Sequence, residues 1–184
     1  GEPVAMIGAE STLAAADASE LVEVDYTPLP AVTTCRDALA QGAPAIWPEA
    51  ADNIAFLRRL GDHGAVAKAI AAAAHVTRLD YGVSRVSALP LEPRVTLVEP
   101  LPEGRMLVHS STQNPFMLRD GLAKQFSVPS ESIRVVAGDV GGSFGMKAGL
   151  FREDALVFWA ARRLNQPVRW MADRSEAFLA DDHA

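Results

Sequence analysis

Cysteine is almost missing from this sequence: Cys35 is the only one in 184 residues. That excludes an internal disulfide and any metal site built on a cysteine cluster. Cys35 precedes Arg and Asp and reads as an ordinary reduced thiol. Positive charge is also short, with 17 Lys and Arg against 23 Asp and Glu and a net charge of −6. No basic face is available to neutralise phosphates, which argues against nucleic acid and anionic membranes as partners. The pairs Arg58-Arg59 and Arg162-Arg163 are isolated and read as solvated helix positions. No apolar run is long enough to cross a bilayer. His63, His75, His109 and His183 show no metal-ligand spacing, and no Ser/His/Asp or Cys/His arrangement is visible. The chain has no initiator Met, no signal pattern after Gly1-Glu2-Pro3 and no closing element before Ala184, so a piece of a longer polypeptide is expected.

What is present is ordinary for a folded protein: 49% hydrophobic and 22% charged residues, enough for a real core without disulfides. Apolar periodicity predicts strands over 4–9, 21–26, 75–81, 95–99, 105–109, 133–137 and 168–171. It predicts helices over 11–18, 62–74, 112–126 and 150–164, with Ser11, Asp62 and Thr112 as N-caps. Asp37-Ala38-Leu39 fits one helical turn, and the stretch 33–61, broken by Gly42, Pro44, Pro48 and Asn53, reads as a loop-rich connector. Strands alternating with helices in the second half indicate a mixed α/β arrangement. Apart from the alanines at 71–74 nothing is low-complexity, and no internal repeat is visible.

Two segments could carry chemistry. The first is Gly138-Asp139-Val140-Gly141-Gly142-Ser143-Phe144-Gly145-Met146-Lys147, between a predicted strand and a predicted helix. Glycines let the backbone reach unusual dihedrals and approach a ligand closely. Successive exposed N–H groups can form an anion-binding nest, helped by a following helix end. Gly141, Gly142 and Gly145 do not have Rossmann spacing, and Lys147 lacks the Gly before it and the Ser or Thr after it that a P-loop requires. A tight turn that binds nothing remains the other reading. The second segment is Ser110-Ser111-Thr112-Gln113-Asn114-Pro115, neutral hydrogen-bonding groups at a helix start, which plain capping also explains. Glu153 and Asp154 read as helix-start charges rather than an acid/base pair.

In order and spacing these motifs resemble one family. Ser111-Thr112-Gln113, the loop Gly141-Gly142-Ser143-Phe144-Gly145-Met146-Lys147, then Gln166-Pro167-Val168-Arg169-Trp170 and Arg174-Ser175-Glu176 look like the ordered signature of molybdenum hydroxylases. These are the molybdenum-binding subunits of xanthine dehydrogenases, aldehyde oxidases and aerobic carbon monoxide dehydrogenases. Leu91-Glu92-Pro93-Arg94 fits the same pattern, and residues 20–32 look like the end of the family's hammerhead domain. The resemblance covers nearly the whole chain. It implies an α+β fragment: the end of a hammerhead-like α/β domain with its connector over 1–50, then the first mixed α/β part of the cofactor domain over 51–184.

Such a resemblance implies a molybdenum ion held by a pterin dithiolene, in some members extended by cytosine dinucleotide. Iron–sulfur clusters and FAD would sit on partner subunits or domains, in a cytoplasmic complex with no membrane span and no nucleic acid partner. Gln113, Gly141, Gly142, Ser143, Phe144 and Gly145 would face the cofactor without ligating the metal. The implied reaction hydroxylates an aldehyde, N-heterocycle or similar small molecule with oxygen from water. Three departures shape that expectation. Ser143 replaces a glycine usual in mid-loop, and Ala148 replaces a glutamate of purine-oxidising relatives. The family's general-base glutamate and further pterin contacts would lie downstream of residue 184, so this piece alone would neither turn over nor hold the cofactor. A copper-binding cysteine loop, needed for carbon monoxide chemistry, is not in these residues. The rival expectations are a phosphate- or nucleotide-binding enzyme that uses the glycine loop, and a non-catalytic binding or assembly module.

Overall fold

The computed structural model describes residues 3–84 and 86–182, so the readings made on Gly1, Glu2, His183 and Ala184 lie outside the described residues. The chain divides into two compact units, one of Thr12–Tyr81 and one of Gly1–Ser11 with Gly82–Ala184.

The smaller unit holds helices α1 (Thr12–Ser19), α2 (Cys35–Ala38) and α3 (His63–Ala72). Asp62 caps α3 as expected, its carboxylate accepting the Ala65 N–H at 2.9 Å. Thr34 caps α2 in the same way through Asp37 N–H at 3.0 Å. The connector between them is irregular but not unorganised. Asn53 sits at φ 59°, donates to the Ala38 and Pro44 carbonyls at 3.0 and 3.1 Å, and accepts the Ile46 N–H at 2.8 Å. Its carboxamide thereby satisfies three backbone groups that a loop without a ladder leaves open.

The strands expected at 4–9, 21–26 and 75–81 do not form. Their alternation is genuine, but a strand needs a neighbour for its N–H and C=O groups and a surface for its apolar face. Leu21 and Leu79 instead stand 82% and 81% exposed, and none of α1, α2 or α3 buries a residue.

The larger unit is built on one mixed sheet of order β3-β2-β1-β4. Strand β1 (Val95–Pro100) pairs antiparallel with β2 (Met106–Ser110) and with β4 (Val168–Met171), while β3 (Ile133–Val136) runs parallel to β2. A parallel pair needs a crossover, and α4 (Pro115–Phe126) supplies it. Alternation along the strands sends Thr96, Val98, Met106 and Val108 to one face. There α4 and α5 (Arg152–Leu164) close over them, with Leu118, Leu122, Val157 and Phe158 completing the core. A last helix, α6 (Arg174–Ala180), is capped by Asp173 and was not expected beyond its opening motif.

The start of α4 differs in detail from expectation. Asn114, not Thr112, is the cap: its side chain accepts the Met117 N–H at 3.1 Å, with Pro115 as the first helical residue. Thr112 is thereby free to reach across to the glycine loop.

Candidate cofactor site

The segment after β2 and the loop after β3 meet through three hydrogen bonds, braced by a fourth within the loop. Thr112 Oγ1 donates to the Lys147 carbonyl at 3.1 Å, and the Gln113 N–H donates to the same oxygen at 3.0 Å. Ser143 Oγ accepts the Lys147 N–H at 2.9 Å and donates to Gln113 Oε1. Gln113, 30 residues before Ser143 in the chain, is thus joined to the loop by both backbone and side chain. The carboxamide nitrogen is left as an exposed donor.

The loop backbone takes the unusual dihedrals foreseen for it. Gly142 and Gly145 lie at φ 102° and 92°, and Phe144, with a side chain, is held at φ 54°. Phe144 is 76% exposed, its ring lying beside Gly142. Among the described residues no protein acceptor takes the Phe144 or Gly145 N–H.

Gly141 serves a different purpose. Its N–H donates to a Glu92 carboxylate oxygen at 2.7 Å, and its carbonyl accepts the Glu92 N–H at 3.3 Å. Lys147, 2% exposed, reaches the same carboxylate at 3.0 Å and the Glu92 carbonyl at 2.8 Å. The loop is therefore anchored from behind by a lysine–glutamate pair. A Cβ on Gly141 would lie 2.6 Å from the Glu92 Cβ. Gly141→Ala is expected to cost about 1–3 kcal/mol, as overpacking does, and to speed hydrogen exchange of the loop amides around Ser143. Exchange unchanged from the parent would show that the loop absorbs the methyl group.

The geometry narrows the anion-nest reading to the Phe144 and Gly145 N–H groups. The Gly141 donor is already satisfied, and no helix begins at the loop: a short 3-10 turn over Met146–Ala148 intervenes before α5 opens at Arg152. The first turn of α5 buries Glu153 and Asp154, which would repel a phosphate. Among the described residues, the α-helix N-terminus that a phosphate or nucleotide cradle uses does not open at this loop.

Glu153 and Asp154 do open the helix as expected, yet they are not solvated. Arg94 forks across both oxygens of Glu153 at 2.8 and 3.2 Å and reaches Asp181 at 2.7 Å. Its guanidinium lies over the Phe151 ring at 4.0 Å and near Trp170 at 5.2 Å. Asp154 accepts from Thr96 Oγ1 and from the Phe151 N–H. Arg174 ties the segment before Glu92 into place, donating to the Pro90 and Leu91 carbonyls at 2.9 and 2.8 Å.

Burial pushes the Asp154 carboxyl above the ordinary aspartate range, against the Thr96 and Phe151 hydrogen bonds. A group that holds its proton more tightly when folded stabilises the fold below the unfolded value, and that contribution is lost as pH rises through the raised value. Glu153 runs the other way: burial would raise it, but the Arg94 hydrogen bonds and charge hold it below the glutamate range. Its contribution is present above the ordinary glutamate value and lost as pH falls through the lowered one. Asp154→Asn keeps one acceptor oxygen and removes the first effect. Above the ordinary glutamate value, where the Glu153 contribution is constant, opening free energies of the first α5 turn, taken from hydrogen exchange, are expected to decline with rising pH in the parent and to stay flatter in the variant.

On the sheet face opposite the helices a cavity of about 280 Å³ opens beside the loop, with Glu92, His109, Ser110, Asp139 and Arg169 among its lining. No group of three or more His, Cys, Asp or Glu able to hold a metal ion occurs among the described residues.

Residues 46–184 match the model of the molybdopterin cofactor-binding domain. The chain belongs to that family. Over its whole length it is 35% identical to the gamma subunit of the 6-hydroxypseudooxynicotine dehydrogenase complex of Paenarthrobacter nicotinovorans. It is 30% identical, over 99% of its length, to the carbon monoxide dehydrogenase large chain of Hydrogenophaga pseudoflava. It spans 23% and 25% of those two proteins. The solved quinoline 2-oxidoreductase of Pseudomonas putida 86 superposes with a TM-score of 0.79 at 35% identity, over 96% of this chain and 22% of that one.

The site suits the family's cofactor. A group that brings its own sulfur ligands for the metal needs no protein metal cluster, only shape and neutral donors. Gln113 is joined to the glycine loop through Ser143, and Gly142 at φ 102° lets the backbone turn. Sequence reasoning missed Glu92, Arg94, Thr96 and Asp181 as partners in the wall's support. The only signal for any of them was the Leu91-Glu92-Pro93-Arg94 segment, which carried the resemblance without a role.

Proposed function

We propose that the parent protein is a molybdenum–pterin-dependent oxidoreductase that hydroxylates a small organic substrate with oxygen from water. Residues 1–50 then belong to the end of a hammerhead-like domain, and 51–184 open the cofactor domain. The observation that carries this function is the single wall formed by Gln113 and the loop from Gly141 to Gly145, joined through Ser143. When bound, the molybdenum–pterin group supplies a metal centre that activates water and accepts an electron pair from the substrate.

This chain's own residues would hold and orient that group. Gln113 Nε2 and the Phe144 and Gly145 N–H groups present neutral donors to an electron-rich centre, steadying it without becoming ligands. Gly141, Gly142 and Ser143 shape the wall from which those donors project. Ion-paired Lys147 and Glu92 keep the backbone in place from behind. The general base is expected from a glutamate elsewhere in the parent, and electrons would leave through iron–sulfur and FAD partners in a cytoplasmic complex. The pterin would be carried in its cytosine dinucleotide form.

Among substrate classes, an N-heterocycle is favoured over an aldehyde. Nicotine 6-hydroxylase large subunit, 36% identical over the whole chain, and quinoline 2-oxidoreductase both carry such substrates in their names. Ala148, at the position of a glutamate in purine-oxidising relatives, argues against purines. The test is turnover of N-heteroaromatic compounds by the purified parent complex in water labelled with heavy oxygen. The label is expected in the hydroxylated product; a product labelled only from dioxygen would overturn the proposal.

A further inference from the structure

We infer that Ser143 is a positioning residue that sets the orientation of the Gln113 carboxamide. This inference rests on the proposed placement of Gln113 beside the cofactor. As a departure from glycine, Ser143 could be read only as a small restriction of the backbone. The structure gives its hydroxyl two bonds, one in each direction. Its oxygen accepts the Lys147 N–H at 2.9 Å, and its hydrogen goes to Gln113 Oε1.

The consequence is directional. A free glutamine carboxamide on the surface can flip, presenting either oxygen or nitrogen to whatever faces it. Here the Ser143 hydroxyl occupies the oxygen, so Nε2 is the end turned outward as a donor. Ordering that amide in advance removes the cost of fixing its rotamer when the cofactor binds. Lys147 is the common anchor, because its carbonyl accepts from both Thr112 Oγ1 and the Gln113 N–H. Glu92 holds Lys147 in turn. A glycine at 143 would leave the backbone part of this arrangement and remove the side-chain part.

The test uses the full-length, molybdenum-loaded parent complex and four variants: Ser143→Ala, Ser143→Thr, Gln113→Ala and the Ser143→Ala/Gln113→Ala double. Two readouts are taken, steady-state turnover and the electron paramagnetic resonance spectrum of the reduced molybdenum centre. Ser143→Ala is expected to lower kcat roughly tenfold, the small end of outer-shell effects, and to alter the spectrum. Ser143→Thr keeps the hydroxyl and is expected to keep the parent spectrum. Because Ser143 acts through Gln113, adding Ser143→Ala to Gln113→Ala is expected to change nothing further.

Multiplicative losses in the double variant, or a parent-like spectrum and kcat in Ser143→Ala while Gln113→Ala is impaired, would overturn this inference alone. A parent-like Gln113→Ala would overturn the placement of Gln113 and the inference with it. If Ser143→Ala fails to assemble, Ser143→Gly carries the same comparison, with the same outcomes.

Discussion

Arg94→Met is expected to cost about 3–5 kcal/mol, the loss typical when one partner of a buried ion pair is removed. Arg94, Glu153 and Asp181 have side chains only 6%, 10% and 1% exposed. The variant preserves much of the apolar stem that packs on Phe151 and Trp170, so the loss reports charge rather than volume. Two carboxylates then face each other in the interior with no cation between them. One oxygen of Asp181 already lacks a hydrogen-bond partner, so it has little to fall back on. The consequence is local: β1, the start of α5 and the end of α6 are the elements that Arg94 ties together. Hydrogen exchange in the parent subunit measures this as faster opening of β1 and α5 amides. Protection unchanged in those elements would mean the cluster contributes nothing net.

Gln113→Ala is expected to lower kcat of the parent complex by about 10- to 100-fold, the range for outer-shell groups around a metal. Stability is expected to change little. Gln113 is exposed, it caps no helix, and its backbone bond to Lys147 survives the substitution. A fall in kcat with KM nearly constant would indicate an interaction made with the reacting centre rather than with substrate on entry. Far-UV circular dichroism and thermal midpoints matching the parent would exclude a folding defect as the cause. Unchanged kinetics would remove Gln113 from the site.

How much of this was legible beforehand follows the range of each interaction. Helices α1, α3, α4 and α5 could be read because cap, periodicity and stop signals lie within a few residues of one another. Strands β1 to β4 were readable for the same reason, with Pro-rich turns marking the ends. The alternating segments at 4–9, 21–26 and 75–81 carry the same local signal without a sheet to join. Pattern alone does not tell whether a neighbour exists.

Within the site, the glycine loop announced its dihedrals but not its partners. Glu92 reaches Gly141 across 49 residues and Arg94 reaches Asp181 across 87. No spacing rule connects residues that far apart. The same limit hid the bond from Ser143 to Gln113, though Ser143 itself was expected at the site. Asn114 outcompeted Thr112 as the α4 cap because Pro115 fixes the first helical position after it, which released Thr112 for the loop.

Family membership rests on the domain match; that the parent carries and uses the cofactor is the central claim that follows from it. It is tested most directly by elemental analysis and pterin extraction on the purified, active, intact parent complex. About one molybdenum and one pterin per copy of this subunit are expected, as for a single cofactor site. An active complex containing neither would contradict the claim.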